Sequence, residues 1–340
     1  MSNNTERYRI DILQCPRCNT GSLSAKGDTL SCSKCPASYT VRDGIPQVLK
    51  DPSLFTQLEA MDYDEHHNID EVRREKVARD WKQVFDRHRP VYGDVLEIGS
   101  GTGQLTWGLA NRFPFKSVSA CDISTRFLLQ AGKVVGDAPV PVNYYACDAN
   151  HLPFKDNSFD LVVGHSVLHH FIDYDKLIHR VAKLLRPGGM AMFYEPVLQG
   201  KILIAFMADL MMRADNNTGW GILDEKDRSN IQRMTRHIMK AKWIGGQRER
   251  LEKIEDKYIF DINAMRRLAA EAGYNRMEHS NLDMPEKGYK HFFDQHLLME
   301  GIPANKIQKF AFIPASFIQT IGEMTPEDVA TPMGYFVFCK

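Results

Sequence analysis

The chain has no excess of charge of either sign: 43 basic and 43 acidic side chains cancel across 340 residues. It therefore lacks the uniform basic field that grips nucleic acid by neutralising phosphates, and such a contact would need a local patch. Long apolar runs are missing too. The longest, Ile202 to Met212, is broken by Asp209 and falls short of the roughly 20 residues needed to span a bilayer. Met1 to Arg9 is polar, without the apolar stretch and small-residue cleavage site of a secretory signal, which predicts a soluble, cytoplasmic protein. Internal repeats and low-complexity tracts are absent. With 43% hydrophobic and 25% charged residues, disorder, collagen-like repeats and coiled coil are excluded as the main architecture. The length suggests about two domains.

Cysteine is sparse, seven in all, but four cluster as Cys15-Pro-Arg-Cys18 and Cys32-Ser-Lys-Cys35. Two thiolates three residues apart can share an ion, and two such pairs complete a tetrahedron, so Cys15, Cys18, Cys32 and Cys35 are expected to bind zinc. Four thiolates leave no open position, which makes the ion structural. A redox dithiol would sit in a βαβ setting that is missing here, and a disulfide is disfavoured in a reducing compartment. Turn residues Gly21, Gly27 and Asp28 between the pairs predict short strands and knuckles. Cys121, Cys147 and Cys339 lie in or beside apolar strands, where inert thiols are the default.

Residues 1–50 thus form one module. Residues 51–90 are charged, with Val72, Val77, Trp81, Val84 and Phe85 at helical spacing, and read as a helical linker. From residue 91 short apolar runs alternate with helical stretches: Val95 to Ile98, Ser117 to Cys121, Val142 to Ala146, Leu161 to Gly164 and Gly189 to Tyr194. That alternation predicts an α/β, Rossmann-like, doubly wound and mostly parallel sheet. It lapses over about 197–257 and 283–333, two expected lid insertions, with a helix from Asp261 to Ala272 and strands near Met277 and at Tyr335 to Cys339 around the second.

The run Val95-Leu-Glu97-Ile-Gly99-Ser100-Gly101-Thr-Gly103-Gln104 places a strand, a glycine turn and a helix start in the order that brings backbone against a ligand. A dinucleotide fingerprint would want glycine at 104, where glutamine stands. An acid at 97 argues against a pyrophosphate on the loop and suits a ligand with an ammonium, such as S-adenosylmethionine. These residues resemble the first motif of class I methyltransferases, Asp/Glu-x-Gly-x-Gly-x-Gly, matched in full by Glu97, Gly99, Gly101 and Gly103. Asp122 follows 23 residues after Gly99, where an acid can accept from both ribose hydroxyls. The resemblance implies that Ile123 covers an adenine face and that Asp148 with Ala149 reads the adenine amino edge. It implies a seven-stranded sheet whose last two strands form an antiparallel edge pair, and it places Tyr63 over the cofactor. The cysteine module, with its tail Tyr39 to Pro46, resembles the Trm112-like zinc ribbon, which is associated with partner stabilisation and RNA methylation.

Methyl transfer from a sulfonium mainly requires aligned reactants and excluded water. If the acceptor loses a proton, His165 at the end of the fourth strand, or His169 in His165-Ser-Val-Leu-His169-His170, is a candidate base. The alternative for the Leu-His-His run is helix packing. The insertions should choose the substrate. Residues 226–253 hold nine Lys or Arg against three acids, with Arg233, Arg236 and Lys240 on one helical face and Ile231, Met234 and Ile238 on another. This suggests an anionic or greasy acceptor or peripheral membrane contact, against the plainer reading of a solvated helix packing its apolar side. A small-molecule methyltransferase is the leading expectation. An rRNA or tRNA base methyltransferase using the ribbon is the alternative, although Gly164-His165-Ser166 lacks the Asn/Asp-Pro-Pro-Tyr signature of many base N-methylating enzymes. A non-catalytic binding subunit is opposed by the complete glycine motif.

Overall fold

In a computed structural model of the chain, residues 8–51, 71–241, 257–281, 287–321 and 331–340 are described. The first of these segments folds into a four-stranded antiparallel sheet, β1 (Leu23–Lys26), β2 (Thr29–Cys32), β3 (Ser38–Arg42) and β4 (Ile45–Pro46). Helix α1 (Glu71–His88) follows, with an acid in its first turn and Arg87 and His88 in its last, matching the helix dipole. Val77, Trp81, Val84 and Phe85 are buried as their spacing predicts. Val72 is not: it is 75% exposed, because its position falls off the stripe that faces the sheet.

The second sheet is built from β5 (Asp94–Ile98), β6 (Ser117–Asp122), β7 (Val142–Ala146), β8 (Phe159–His165), β9 (Leu185–Pro196), β10 (Arg276–Ser280) and β11 (Met333–Cys339). Its order is β10-β11-β9-β8-β5-β6-β7, with β11 antiparallel to both neighbours and the other pairs parallel. The chain winds outward from β5 to β7 and returns beside β5 as β8, so the sheet splits between β5 and β8, where loops diverge and leave a crevice. β9 begins at Leu185, earlier than the expected Gly189, and absorbs the Arg186-Pro-Gly-Gly turn through a register shift opposite Phe159 to Leu161.

Helices α2 (Gln104–Arg112), α3 (Thr125–Val135), α4 (Tyr174–Leu184) and α7 (Ile262–Glu271) cover the sheet. Alternate residues of β5 feed opposite cores: Val95 joins Trp81, Phe85 and Leu109 on one face, while Leu96 and Ile98 join Ile178 and Phe193 on the other. Between β9 and α7 lie α5 (Leu198–Thr218) and α6 (Glu225–Ala241); between β10 and β11 lie α8 (Lys287–Met299), α9 (Ala304–Gln308) and α10 (Phe312–Ile321). Both insertions share one apolar core, including Ile204, Met211, Ile231, Met234, Ile238, Phe293 and Phe310. No described helix is long and apolar enough to cross a membrane.

The cysteine module is welded to the open edge of this sheet. Val48 N–H donates to Ala146 O at 2.8 Å, beside a parallel bridge between Gln47 and Ala146. Gln14 N–H donates to Pro153 O and Lys155 N–H to Ile12 O, each at 2.8 Å. Leu13, Leu30 and Val48 are fully buried in the same core as Tyr145 and Phe154. Arg9 pairs with the buried Asp94 at 2.9 Å.

Candidate functional site

The glycine loop sits at the carboxyl end of β5. Gly99, Gly101 and Gly103 adopt φ of 67°, 50° and 93°, a region that favours glycine. A Cβ at Gly99 would lie 2.3 Å from the Val167 side chain, whereas the space around Gly101 is open. Asp122, at the end of β6, fixes the loop: its Oδ2 accepts from Gly101 N–H and its Oδ1 from Ser124 N–H, both at 2.9 Å. Each carboxylate oxygen keeps acceptor capacity beyond that bond, so the same group can still receive a sugar hydroxyl. Burial pushes the Asp122 carboxyl up, against the pull of the backbone donors. Ser100 N–H donates to Cys121 O, but its buried hydroxyl has no partner among the described residues. A buried unpaired hydroxyl is costly, and it points to a ligand oxygen or nitrogen as its partner.

Glu97 lies within β5 and is 2% exposed. It accepts from the Thr106 hydroxyl at 2.6 Å, and burial drives its carboxyl up to about 8, aided by the Asp122 charge. Half-buried Ile123 follows Asp122 directly. Asp148 ends the strand-to-turn step after β7 and caps the turn Ala149–His151, accepting from Asn150 N–H at 2.9 Å, so the N-cap part is played here by that carboxylate. Ala149 is buried beside it. Tyr63 lies outside the described residues.

Across the split the parallel register runs from Val95 opposite Leu161 to Glu97 opposite Val163, so the loop that starts at Gly99 and His165 both lie at the carboxyl ends of adjacent strands. His165 Nδ1 accepts from the Trp81 indole N–H at 3.0 Å, and its ring stacks on Tyr194 at 4.9 Å between centroids. Tyr335 closes the group, 4.8 Å from Tyr194 and 5.0 Å from Trp81. Removal from bulk water, with Arg73 and Lys76 nearby, lowers His165 to about 4, so its ring is neutral at ordinary pH. His169 sits in a 3-10 turn (Leu168–His170) with Nδ1 2.6 Å from Glu195 Oε2. Glu195 is fully buried, and its other oxygen accepts from Val167 N–H at 2.8 Å and Leu168 N–H at 2.7 Å. The two candidate histidines therefore have different surroundings: one an indole donor, the other a carboxylate acceptor.

Trp81, Thr106, Tyr194, Glu195 and Tyr335 were not legible as site residues. The one available signal was Glu195, an acid directly before Pro196 at the end of an apolar strand. Of the basic face read on α6, Arg233 pairs with Glu300 at 2.8 Å, while Ile231, Met234 and Ile238 are buried. The side chain of Lys240 lies outside the described residues.

In the cysteine module the four sulfurs lie within 4.8 Å of one another, with Cys15 to Cys35 and Cys18 to Cys32 each 3.7 Å apart. A tetrahedral site with sulfur about 2.3 Å from zinc needs sulfur separations of about 3.8 Å, so the donor set fits. The backbone N–H of Thr20, then that of Gly21, holds the Cys18 thiol down at about 6, and the Tyr39 hydroxyl lies 3.1 Å from Cys15 sulfur.

Comparison with known proteins finds a family described as a methyltransferase domain matching residues 96–193. A ubiquinone/menaquinone biosynthesis C-methyltransferase of Desulfotalea psychrophila is 30% identical over 115 residues, 34% of this chain and 46% of the relative. A ubiquinone biosynthesis O-methyltransferase of Agrobacterium fabrum is 30% identical over 154 residues, 43% of this chain and 61% of the relative. The chain thus spans about half the length of these curated relatives. Among solved structures, Haemonchus contortus phosphoethanolamine N-methyltransferase 2 with phosphomonomethylethanolamine and S-adenosylhomocysteine is 20% identical, covers 77% of this chain and 52% of its own, and has a TM-score of 0.41. The residues that match a methyltransferase domain, 96–193, are those that carry the glycine loop, Asp122 and the split of the sheet.

Proposed function

We propose that this chain moves a methyl group from S-adenosylmethionine to an O, N or C atom of a small-molecule acceptor. The observation that carries the reading is the glycine loop itself: three left-handed glycines, tied to Asp122 through Gly101 N–H, around a buried Ser100 hydroxyl that lacks a partner among the described residues. In that arrangement Asp122 takes the ribose, Ile123 and Ala149 flank the adenine with Asp148 at its amino edge, and Glu97 faces the ammonium. Bound there, S-adenosylmethionine supplies an electrophilic methyl on a sulfonium. The protein's part is to align the acceptor and keep water out.

His165 and His169 stand where β8 ends beside the loop. His169, with Nδ1 2.6 Å from Glu195 Oε2, is the candidate to take a proton from the acceptor. The shared lid core and the pairing of Arg233 with Glu300 favour an enclosed small molecule over an extended polyanion. Relatives that act in ubiquinone biosynthesis on carbon and oxygen fit that class. Cys15, Cys18, Cys32 and Cys35 hold a structural zinc that stiffens the module against β7, as thiolates can in a reducing cytoplasm.

The test is to incubate the full chain with S-adenosylmethionine labelled in its methyl group and with separated metabolite, lipid and RNA fractions of a cell extract. Label is expected in a metabolite or lipid-soluble fraction. Label confined to RNA would overturn the acceptor class, and label nowhere would overturn the reading.

A further inference from the structure

The aromatic group around His165 is built from four distant parts of the chain: Trp81 on α1, His165 on β8, Tyr194 on β9 and Tyr335 on β11. Its hydrogen-bond polarity is set. An indole N–H can only donate, so Trp81 fixes Nδ1 of His165 as an acceptor, and a neutral imidazole must then carry its proton on Nε2. Nε2–H is a donor with no lone pair to take a proton. Burial raises the Tyr194 and Tyr335 hydroxyls well above the usual phenol range, so both remain O–H groups. The Tyr335 hydroxyl is fully buried and has no partner among the described residues.

Among the described residues, the charged groups facing this cluster come from α1: Arg73 and Lys76 beside His165, and Asp80 beside the two tyrosines, paired with Lys76 at 2.7 Å. From β8, β9 and β11 it is faced by His165, Tyr194 and Tyr335 themselves. Planar walls with N–H and O–H donors suit a flat group bearing a negative oxygen. The split of the sheet places this cluster next to the glycine loop, through Val167, which packs against Gly99.

We propose that His165 is a fixed hydrogen-bond donor and not a base, and that it holds an oxygen of a planar acceptor, a phenol or enol that reacts as its anion. This rests on the methyltransferase reading and deepens it. The acceptor gives its O–H proton to bulk water as it binds and so enters the site as the anion. In the transfer step the acceptor's electron pair forms the new bond to the methyl carbon, the carbon–sulfur pair stays on sulfur, and no proton moves.

The probe is 4-nitrophenol, whose phenol and phenolate forms absorb differently, added to the full chain with S-adenosylhomocysteine bound. Wild type is expected to bind it as phenolate, with its pKa lowered by about one unit, a tenfold shift. His165→Leu loses that shift. His165→Gln, which keeps an N–H near the same place without a titrating ring, retains most of it. Nitrogen-15 NMR of the histidines should show His165 as the Nε2–H tautomer from pH 6 to 8, and Trp81→Phe should release it to a mixture that titrates. A bound probe that stays phenolic, a His165 protonated on Nδ1 or on both nitrogens in that range, or an unchanged shift in His165→Leu would each overturn the proposal. S-adenosylhomocysteine affinity, measured on the same samples, separates this failure from failure of the cofactor reading.

Discussion

The two flanks of the split sheet are made differently. On the β5–β6–β7 side the candidate surface is backbone and short acids: glycines at positive φ, amide hydrogens held by Asp122, and a cap at Asp148. On the β8–β9–β11 side it is side chains, with Trp81, His165, Tyr194 and Tyr335 meeting in space from four elements. A ligand shared across a family can be met by main chain, which every sequence carries. An acceptor particular to one protein has to be met by side chains, and these vary freely.

The comparison breaks most visibly at Asp122. Asp122→Ala removes an acceptor for two backbone N–H groups and for the proposed ribose contact; at about 1.5 to 3 kcal/mol per charge-assisted bond, cofactor binding should weaken about 100-fold or more, read by calorimetry. His165→Leu should leave that affinity within about twofold, because it acts on the other flank.

The cysteine module gives the next largest effect. Cys32→Ser should abolish one equivalent of zinc per chain, measured by metal analysis, and lower the melting temperature by roughly 5 °C, since Leu13, Leu30 and Val48 share the core of the domain. An unchanged melting temperature after complete metal loss would separate the module from the sheet edge. Gly103→Ala forces a side chain into φ 93° with a Cβ 2.8 Å from Ala131, at a cost of about 1 to 3 kcal/mol visible in denaturant unfolding.

The smallest effect sharpens the electrostatics of the cofactor flank. Burial holds Glu97 up near 8, so the folded apo chain keeps a proton there that the unfolded chain loses near its ordinary 4.5. The stability from this group is full below about 4.5 and is lost as pH rises through about 8. An ammonium beside Glu97 favours the ionised form, so cofactor binding near neutrality should expel up to about one proton and tighten toward pH 8. Calorimetry in two buffers of different ionisation enthalpy reads this directly; Glu97→Gln should remove the buffer dependence.

Legibility in the sequence follows the same division. Strand, turn and helix around Gly99 to Gly103 are contiguous, and Asp122 and Asp148 mark strand ends through period and spacing alone, so that flank is legible in the order of the residues themselves. The seven strands and the antiparallel edge pair were implied by the family resemblance, but the order of the strands was not read. Trp81 was legible only as an apolar position, because its hydrogen-bond partner, His165, is brought to it by tertiary folding. Glu195 was hidden for a similar reason: its three donors come from the loop after β8. Val72 shows the opposite error, an apolar residue at helical spacing that the helix turns to solvent. On α6 the basic face and the apolar face were both visible, but the packing of Ile231, Met234 and Ile238 against α5 within the shared lid core was not.

The central claim is that the loop from Gly99 to Gly103, held by Asp122, takes S-adenosylmethionine. Titration of the zinc-loaded full chain with S-adenosylmethionine tests it most directly. The account predicts saturable binding at one site per chain, competed by S-adenosylhomocysteine; no saturable binding at millimolar ligand would contradict it.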